Sequence, residues 1–198
     1  MAVDVRLIEP HEVPDFIRSV LVPFLEVGKE GAVKHWSPHI EVDRCWIAQD
    51  GGRAVGNCCV FSRDVTVPAA PGRECPTIPM AAVSAVGVHP THRRQGLLRR
   101  MMGVMFDDAR RRGEMVTGLT ASESVIYGRF GYGLATTAAE LAIDTRGAAF
   151  VAAAPRLDLR ILDPDEAAKE LPERFDRLRR RRAGEVSRNQ ATWGDVFA

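Results

Sequence analysis

The strongest constraint on the fold is a strand–helix–strand unit in the middle of the 198-residue chain. Residues 80–88 are a near-continuous run of small apolar residues, which is typical of a strand buried on both faces. A basic loop follows, and residues 96–112 then place leucines and methionines on one helical face before Gly113. Residues 115–120 are predicted as the next strand. Because strands joined through a helix are normally parallel, this unit predicts a parallel pair.

The first half of the chain predicts antiparallel strands. Residues 44–49 and 53–61 flank Asp50-Gly51-Gly52, a composition typical of a hairpin turn. Together with the parallel unit, this hairpin predicts an α/β fold with a mixed central β-sheet flanked by helices. The other elements expected in this half are a strand over 3–8, a helix over 11–25 and a long loop over 62–79 that contains a short strand at 64–67.

The pattern of elements begins again after Ala152-Ala153-Ala154-Pro155. One strand and one or two helices follow, which is too little to bury a core alone. We therefore expect residues 1–154 to form one domain and residues 155–198 to be the start of a second domain or an appendage packed on the first. The elements predicted here and just before are a helix over 122–130, strands over 140–143 and 157–162, a helix over 164–182 and another helix from about 191.

Composition argues against several classes of protein. The formal net charge of +1 argues against a general nucleic-acid binder. A nucleic-acid patch at the arginines of 177–182 stays open as an alternative, although a solvated helix face is the simpler interpretation. The N-terminus lacks the apolar core of a signal peptide, and no apolar run has the length of a membrane span. A cytoplasmic protein is therefore expected.

Cysteine and histidine spacing predicts no metal site. None of the four cysteines lies in a C-x-x-C pair, so free thiols in a reducing compartment are expected. Cys58 and Cys59 are adjacent, and in a strand they would face opposite sides of the sheet. His35 and His39 have helical spacing, but Pro38 lies between them and no acidic partner is evident.

The loop that follows residue 88 has the composition of a phosphate-binding site. Arg93 and Arg94 precede Gly96, and the predicted helix starts there. Unpaired backbone N–H groups at a helix start attract anions together with the helix dipole. The chain has no Gly-Lys-Ser/Thr of a Walker A loop, and one glycine is too few for the dinucleotide fingerprint. The loop predicts a phosphate-bearing ligand, with a solvated basic helix start as the alternative.

Two motifs carry a resemblance to a known family. Arg93 and Gly96 fit the Q/R-x-x-G-x-G/A pattern with which the GNAT superfamily of acyl-CoA-dependent N-acyltransferases holds the CoA pyrophosphate, although Leu98 stands where Gly or Ala is usual. Residues 90–99 and 120–136 together resemble the enhanced intracellular survival family of GNAT acetyltransferases, in which leucine is usual at that position. The resemblance implies the GNAT fold, acetyl-CoA as cofactor and an aminoglycoside-like, polycationic amine as acceptor.

The same resemblance assigns roles to individual residues. It makes Tyr127 the general acid, and it implies that Phe24, Glu26, Trp36 and Ser84 line the acceptor pocket. It implies a homo-hexamer and a length about twice that of this chain, so we expect the chain to be a fragment that ends inside a second GNAT-like domain. The residues implied to bind the cofactor are Val86, Gly87, Val88, Arg93, Arg94, Gln95, Gly96, Leu97, Leu98, Arg99, Ser122 and Glu123.

The chemistry of amine acetylation agrees with these roles. Attack on a thioester carbonyl develops an oxyanion, which an unpaired backbone N–H on the residue 80–88 strand could stabilise. The leaving thiolate needs a proton, and a tyrosine hydroxyl with a reference pKa near ~10 can supply it when held close to the sulfur. Packing in the core is the alternative role for Tyr127. In the family the general base is the C-terminal carboxylate, to which Ala198 does not correspond.

Two other functions stay open at this stage. A protein-lysine or polyamine N-acetyltransferase would use the same cofactor site, and only its acceptor would differ. A non-catalytic CoA-binding regulator would bind the cofactor without turnover.

Overall fold

A computed structural model describes residues 3–24, 28, 30–137, 139–153 and 156–197. Its sheet has five strands in the order of the sequence, antiparallel except for the last pair, which is parallel. The mixed sheet and the parallel strand–helix–strand unit predicted from the sequence are confirmed. The strands are β1 (Asp4–Leu7), β2 (Cys45–Asp50), β3 (Arg53–Thr66), β4 (Thr77–Val88) and β5 (Val116–Gly118).

The helices cover both faces of this sheet. On one face, Phe16 and Ile17 of α1 are buried against the sheet; on the other, the buried methionines of α3 form the larger part of the core. Within the described residues, none of the helices is both long enough and apolar enough to cross a bilayer. The helices are α1 (Val13–Leu21), α2 (Ala32–Trp36), α3 (Leu97–Arg111), α4 (Pro164–Arg179) and α5 (Gln190–Phe197).

The paired cysteines of β3 lie on opposite faces, as predicted. Cys58 belongs to the core under α3, whereas Cys59 belongs to the core under α1. Cys45 is the antiparallel partner of Cys59, and all the cysteines are buried free thiols. Burial raises the pKa of the Cys58 thiol well above its ordinary value, which keeps this group protonated and unreactive.

The long loop predicted over 62–79 is much shorter in the structure. β3 continues to Thr66 and β4 starts at Thr77, so that only residues 67–76 connect them. The proline and glycine content of 62–79 predicts a loop up to Pro79, but proline is tolerated near the start of β4, before the ladder with β5 begins at Met80.

Three other predicted elements differ from the observed ones. The helix over 122–130 is instead two 3-10 turns, Ser124–Ile126 and Gly128–Phe130. The strands predicted over 140–143 and 157–162 are absent, because no described strand lies alongside to pair with their backbone. Their alternating apolar side chains are exposed instead.

The chain returns to the sheet after α4. Residues 182–187, called here the return segment, run along the edge of β3 beyond Cys59, where pairing with β2 has ended. Val186 bridges Val65 in the antiparallel sense, and Thr66 donates its backbone N–H to the Glu185 carbonyl at 3.0 Å. The division into domains 1–154 and 155–198 stays a prediction, and its boundary falls on residues outside the described part.

A buried ion network joins the other end of the sheet to α3. The Arg44 side chain is completely buried; its guanidinium donates to both Glu114 carboxylate oxygens at 2.6 and 2.5 Å and to Asp108 at 3.1 Å. Burial alone would lower the pKa of Arg44, but its hydrogen bonds to Glu114 hold that pKa above the ordinary value. The network fixes the turn that leads into β5.

Candidate active site

The sheet opens into a wedge where β5 ends. The parallel ladder between β4 and β5 stops at the pair Ala82–Gly118, while β4 continues to Val88. In the part of the chain that the structure describes, no strand pairs with this edge of β4 beyond Ala82. Because alternate residues of a strand direct their N–H and C=O groups to one edge, the wedge contains backbone groups available to a ligand.

A bulge in β4 shapes one wall of the wedge. Ala85 has a φ of 53°, an unusual conformation for a residue other than glycine, and the register with β3 shifts between Asn57 and Cys59. The Asn57 side chain, almost completely buried, donates a hydrogen bond to the Ala85 carbonyl and holds the bulge in place. Consequently Ala85 packs on the α1 face, while the next residue, Val86, packs on the α3 face.

Gly87 sits directly against Pro23, which precedes Phe24. A Cβ atom at residue 87 would lie 2.6 Å from Pro23 Cγ, too close for any real contact. Gly87→Ala is therefore expected to reduce the free energy of unfolding by about 1–3 kcal/mol in urea titrations, because the rigid proline ring must move. Gly103→Ala in α3 is the control; its Cβ meets nothing within 4 Å, so it should stabilise the helix by about 0.5–1 kcal/mol. Equal effects of the two substitutions would contradict the close packing at Gly87.

The basic loop follows directly on the unpaired end of β4 and leads into α3. Arg94 and Gly96 have positive φ angles of 62° and 78°, and no side chain caps the start of α3. Backbone N–H groups in such a loop and at a helix start converge on a concave site that suits an anion. His92 lies in the same wall with Nε2 at 3.2 Å from an Asp50 carboxylate oxygen.

Tyr127 lies between the two 3-10 turns that follow β5. Its ring packs against the α3 face of the core and meets the Tyr132 ring edge-on, with centroids 5.7 Å apart. Burial, and the charge of Glu123 to a smaller extent, raise the pKa of the Tyr127 hydroxyl above its ordinary value. The hydroxyl therefore stays protonated at neutral pH and is able to donate a proton.

A single cavity of about 1700 Å³ connects the wedge, the basic loop and Tyr127. This exceeds the range of about 300–1,000 Å³ typical for drug-sized ligands, so the cavity can hold a large ligand or two ligands together. The predicted site residues brought to its wall are Phe24, Ser84, Val86, Gly87, Val88, Arg93, Arg94, Gly96, Leu97, Leu98, Arg99, Ser122, Glu123 and Tyr127.

Two predicted residues with described positions are not part of that wall. The Gln95 side chain turns back and donates to the Thr91 carbonyl at 3.3 Å. Trp36 is about half exposed, and its ring contacts His35 and His39. Glu26, one of the four acceptor residues implied by the resemblance, lies outside the described residues.

The two histidines beside Trp36 have an acidic partner that the sequence did not reveal. An Asp195 carboxylate oxygen of α5 lies 3.1 Å from His39 Nε2, and the other lies 3.7 Å from His35 Nδ1. Pairing across more than 150 positions leaves no local signal in the sequence. The contact joins the C-terminal helix to α2.

The comparison with known families decides the assignment. A model of the family described as "Acetyltransferase (GNAT) domain" matches residues 4–135, a span that includes every strand, α3 and Tyr127. The chain belongs to the GNAT acetyltransferase family. GNAT acetyltransferases use acetyl-CoA, and in this GNAT domain the wedge and the basic loop adjoin in one cavity.

Individual relatives show which members of the GNAT family this chain resembles. An uncharacterized N-acetyltransferase of Streptomyces avermitilis is 36% identical over 199 residues, which cover 96% of this chain and 46% of the relative. The N-acetyltransferase Eis of Mycobacterium tuberculosis is 36% identical over 181 residues, which cover 87% of this chain and 44% of the relative. The crystal structure of Eis1 from Mycobacterium abscessus matches with a TM-score of 0.68 and 28% identity, over 99% of this chain and 48% of that one. The predicted resemblance to the enhanced intracellular survival family is confirmed, and the chain spans about half the length of these relatives.

Part of the wall of this GNAT site was not anticipated. Phe61 and Val65 of β3 and residues 183–186 of the return segment line the cavity. Phe61 falls in a predicted strand, but nothing in the sequence indicates that residues near 185 pair with β3. Arg129, which falls in the helix predicted over 122–130, also lies in the wall and adds to its positive charge.

Proposed function

We propose that this protein is an acetyl-CoA-dependent N-acetyltransferase that transfers the acetyl group directly to an amine of an aminoglycoside-like, polycationic acceptor. One observation carries the proposal: Tyr127, an uncharged hydroxyl donor, lines the same cavity as the basic loop and the open edge of β4. Acid, anion site and exposed backbone are the three elements that acetyl transfer from a CoA thioester requires.

The residues of the basic loop fit the phosphate groups of acetyl-CoA. Arg93, Arg94 and Arg99 provide full positive charges in the cavity wall, and the free N–H groups at the start of α3 add partial charges. The open edge of β4 from Val83 to Val88 offers backbone groups to the amide-containing arm of CoA. Acetyl-CoA supplies the acetyl group as a thioester.

Tyr127 holds the proton that the departing thiolate needs. The acceptor nitrogen, as a free amine, forms a bond to the acetyl carbon, the carbon–sulfur bond breaks, and the Tyr127 hydroxyl donates its proton to sulfur. The nitrogen releases one proton to solvent and the tyrosinate takes one back from solvent, so the products are the amide and free CoA. A backbone N–H on the unpaired edge of β4 stabilises the negative charge that develops on the acetyl oxygen. No covalent enzyme intermediate is involved, since the cysteines are buried and are absent from the cavity wall that the structure describes.

Two carboxylates in the cavity wall support a cationic acceptor. Among the described residues of the wall, Glu123 and Glu185 are the acids, and both lie away from the basic loop in the sequence. Opposite charges attract and orient a ligand in a partly enclosed site. Buried free thiols support the proposal of a cytoplasmic protein. We extend the proposal to a homo-hexamer and to a second GNAT-like domain that begins at residue 155, both implied by the family resemblance.

Calorimetry with acetyl-CoA and a thiol-release assay test this function. The double variant Arg93→Ala, Arg94→Ala is expected to weaken acetyl-CoA binding about tenfold to hundredfold, because two charge-assisted contacts are lost. Arg110→Ala is the control: this arginine is exposed at the other end of α3 and should leave binding unchanged. In the assay, an aminoglycoside should be acetylated faster than spermidine or a lysine peptide.

Other results would contradict parts of the proposal. A higher kcat/KM for the lysine peptide or spermidine would assign the protein to protein-lysine or polyamine acetylation. Acetyl-CoA binding without thiol release for any amine would indicate a regulator. The absence of acetyl-CoA binding would refute the function altogether.

A further inference from the structure

The return segment, far from the cofactor motifs in the sequence, forms part of the cavity wall. Residues 183–186 stand there beside Phe61 and Val65 of β3. On the basis of the function proposed above, we propose that Glu185 binds a second cationic group of the acceptor. In this role the return segment determines which amines are acetylated.

Hydrogen bonds to Thr66 fix the position of the return segment. Thr66 is buried; its backbone carbonyl accepts from Gly184 N–H at 2.7 Å, and its hydroxyl donates to the Arg182 carbonyl at 2.6 Å. The Glu185 N–H donates to the same hydroxyl at 2.9 Å. These hydrogen bonds hold the backbone of residues 184 and 185 in place. A substitution of Glu185 therefore changes the side chain in the cavity wall and leaves the position of the segment unchanged.

The Glu185 carboxylate is available to a ligand. The side chain is 35% exposed, and within the described residues its carboxylate accepts no hydrogen bond. Its nearest described cation is Arg182 Nη1 at 3.8 Å, and the Arg182 side chain is 81% exposed. An ion pair as long and as exposed as this one contributes little to the stability of the protein. An ammonium group of a ligand can therefore take the place of Arg182 at a low cost in free energy.

The surroundings of Glu185 strengthen its attraction for a cation. Val65, Val186 and Phe61 form the adjoining wall. Apolar neighbours lower the local dielectric constant, so the attraction between a carboxylate and an ammonium group exceeds that in open water. The carboxylate therefore favours a protonated amine over a neutral hydroxyl of the same acceptor.

The distance along the sheet selects an extended acceptor. Val65 pairs with Ile78 of β4, and Ser84 near the bulge is six residues further along. At about 3.3 Å per residue this is roughly 20 Å, which the glutamate side chain shortens by several ångströms. An acceptor with one amine near Tyr127 and another at Glu185 must hold separate cationic groups on an elongated frame. A small monoamine reaches only one of the two.

The isosteric variant Glu185→Gln tests the assignment. With an aminoglycoside or spermine as acceptor, KM is expected to rise about tenfold at unchanged kcat, because one charge-assisted hydrogen bond is lost. With hexylamine, KM should not change, and acetyl-CoA binding should stay as in the wild type. Glu173→Gln is the control, since Glu173 is an exposed residue of α4 outside the cavity wall.

A direct binding measurement separates this proposal from the proposed enzymatic function. Calorimetric titration of the wild type and of Glu185→Gln with spermine and with an aminoglycoside needs no turnover. Weaker binding by the variant, at an unchanged thermal unfolding midpoint, supports the proposal that Glu185 binds a cationic group, even if no amine is acetylated. Binding within twofold of the wild type for both polycations, or no binding of either by the wild type, overturns it.

Discussion

Replacing Tyr127 with phenylalanine is expected to lower kcat about 10²–10⁴-fold, the usual contribution of a general acid. The ring keeps its place against the core and the edge-on contact with Tyr132, so the affinity for acetyl-CoA should change less than about threefold. Steady-state kinetics at neutral pH, combined with acetyl-CoA calorimetry, separate the chemical step from binding. Because the pKa of the hydroxyl is raised, wild-type kcat should show no loss of the acid form until the pH exceeds the ordinary tyrosine value.

Tyr132→Phe is the matched control for this experiment. The Tyr132 hydroxyl is buried and Tyr132 is absent from the cavity wall that the structure describes, so its removal takes no polar group away from a bound ligand. Unchanged kcat is expected. If Tyr127→Phe and Tyr132→Phe reduce kcat to the same extent, Tyr127 is a packing residue and not the acid.

Arg44→Met is expected to cost about 3–5 kcal/mol of unfolding free energy, because it leaves the buried Glu114 carboxylate without its cation, while Asp108 keeps its ion pair with Arg112. A typical domain is stable by only about 5–15 kcal/mol, so the urea concentration at the unfolding midpoint should fall substantially. Urea titration followed by circular dichroism measures the difference.

Two further variants show whether charge is the cause. Arg110→Met removes an exposed ion pair with Asp107 and should change stability by less than about 0.5 kcal/mol. Adding Glu114→Gln to Arg44→Met should recover part of the loss, since one unpaired buried charge disappears. A loss no larger than that of Arg110→Met would mean that the network does not stabilise the fold.

Local patterns in the sequence predict well the end of the cavity formed by β4, the basic loop and the start of α3. The strand at 80–88, the loop with Gly96 and the helix that follows depend on contacts between neighbours in the sequence, and the structure has all three in order. The hairpin around Asp50-Gly51-Gly52 is equally local. Periodicity, turn residues and helix ends suffice for such elements.

Elements that depend on distant partners are not predictable in this way. The segments 140–143 and 157–162 alternate like strands, yet a strand needs a neighbour, and alternation alone does not provide one. The bulge at Ala85 depends on the buried Asn57 side chain, which comes from another strand. Arg44 and Glu114 are 70 positions apart, so their ion pair leaves no local pattern.

The hydrogen bond from Thr66 to the Arg182 carbonyl spans 116 positions of the chain. The segment it anchors and the loop around Gly96 are therefore encoded by stretches of the gene that mutate independently. Substitutions at 185 or 186 can alter one end of the cavity while the arginines and the start of α3 stay intact. Under the role proposed for Glu185, such an arrangement would let acceptor preference diversify in an evolving lineage while the residues proposed to bind the acetyl donor stay unchanged.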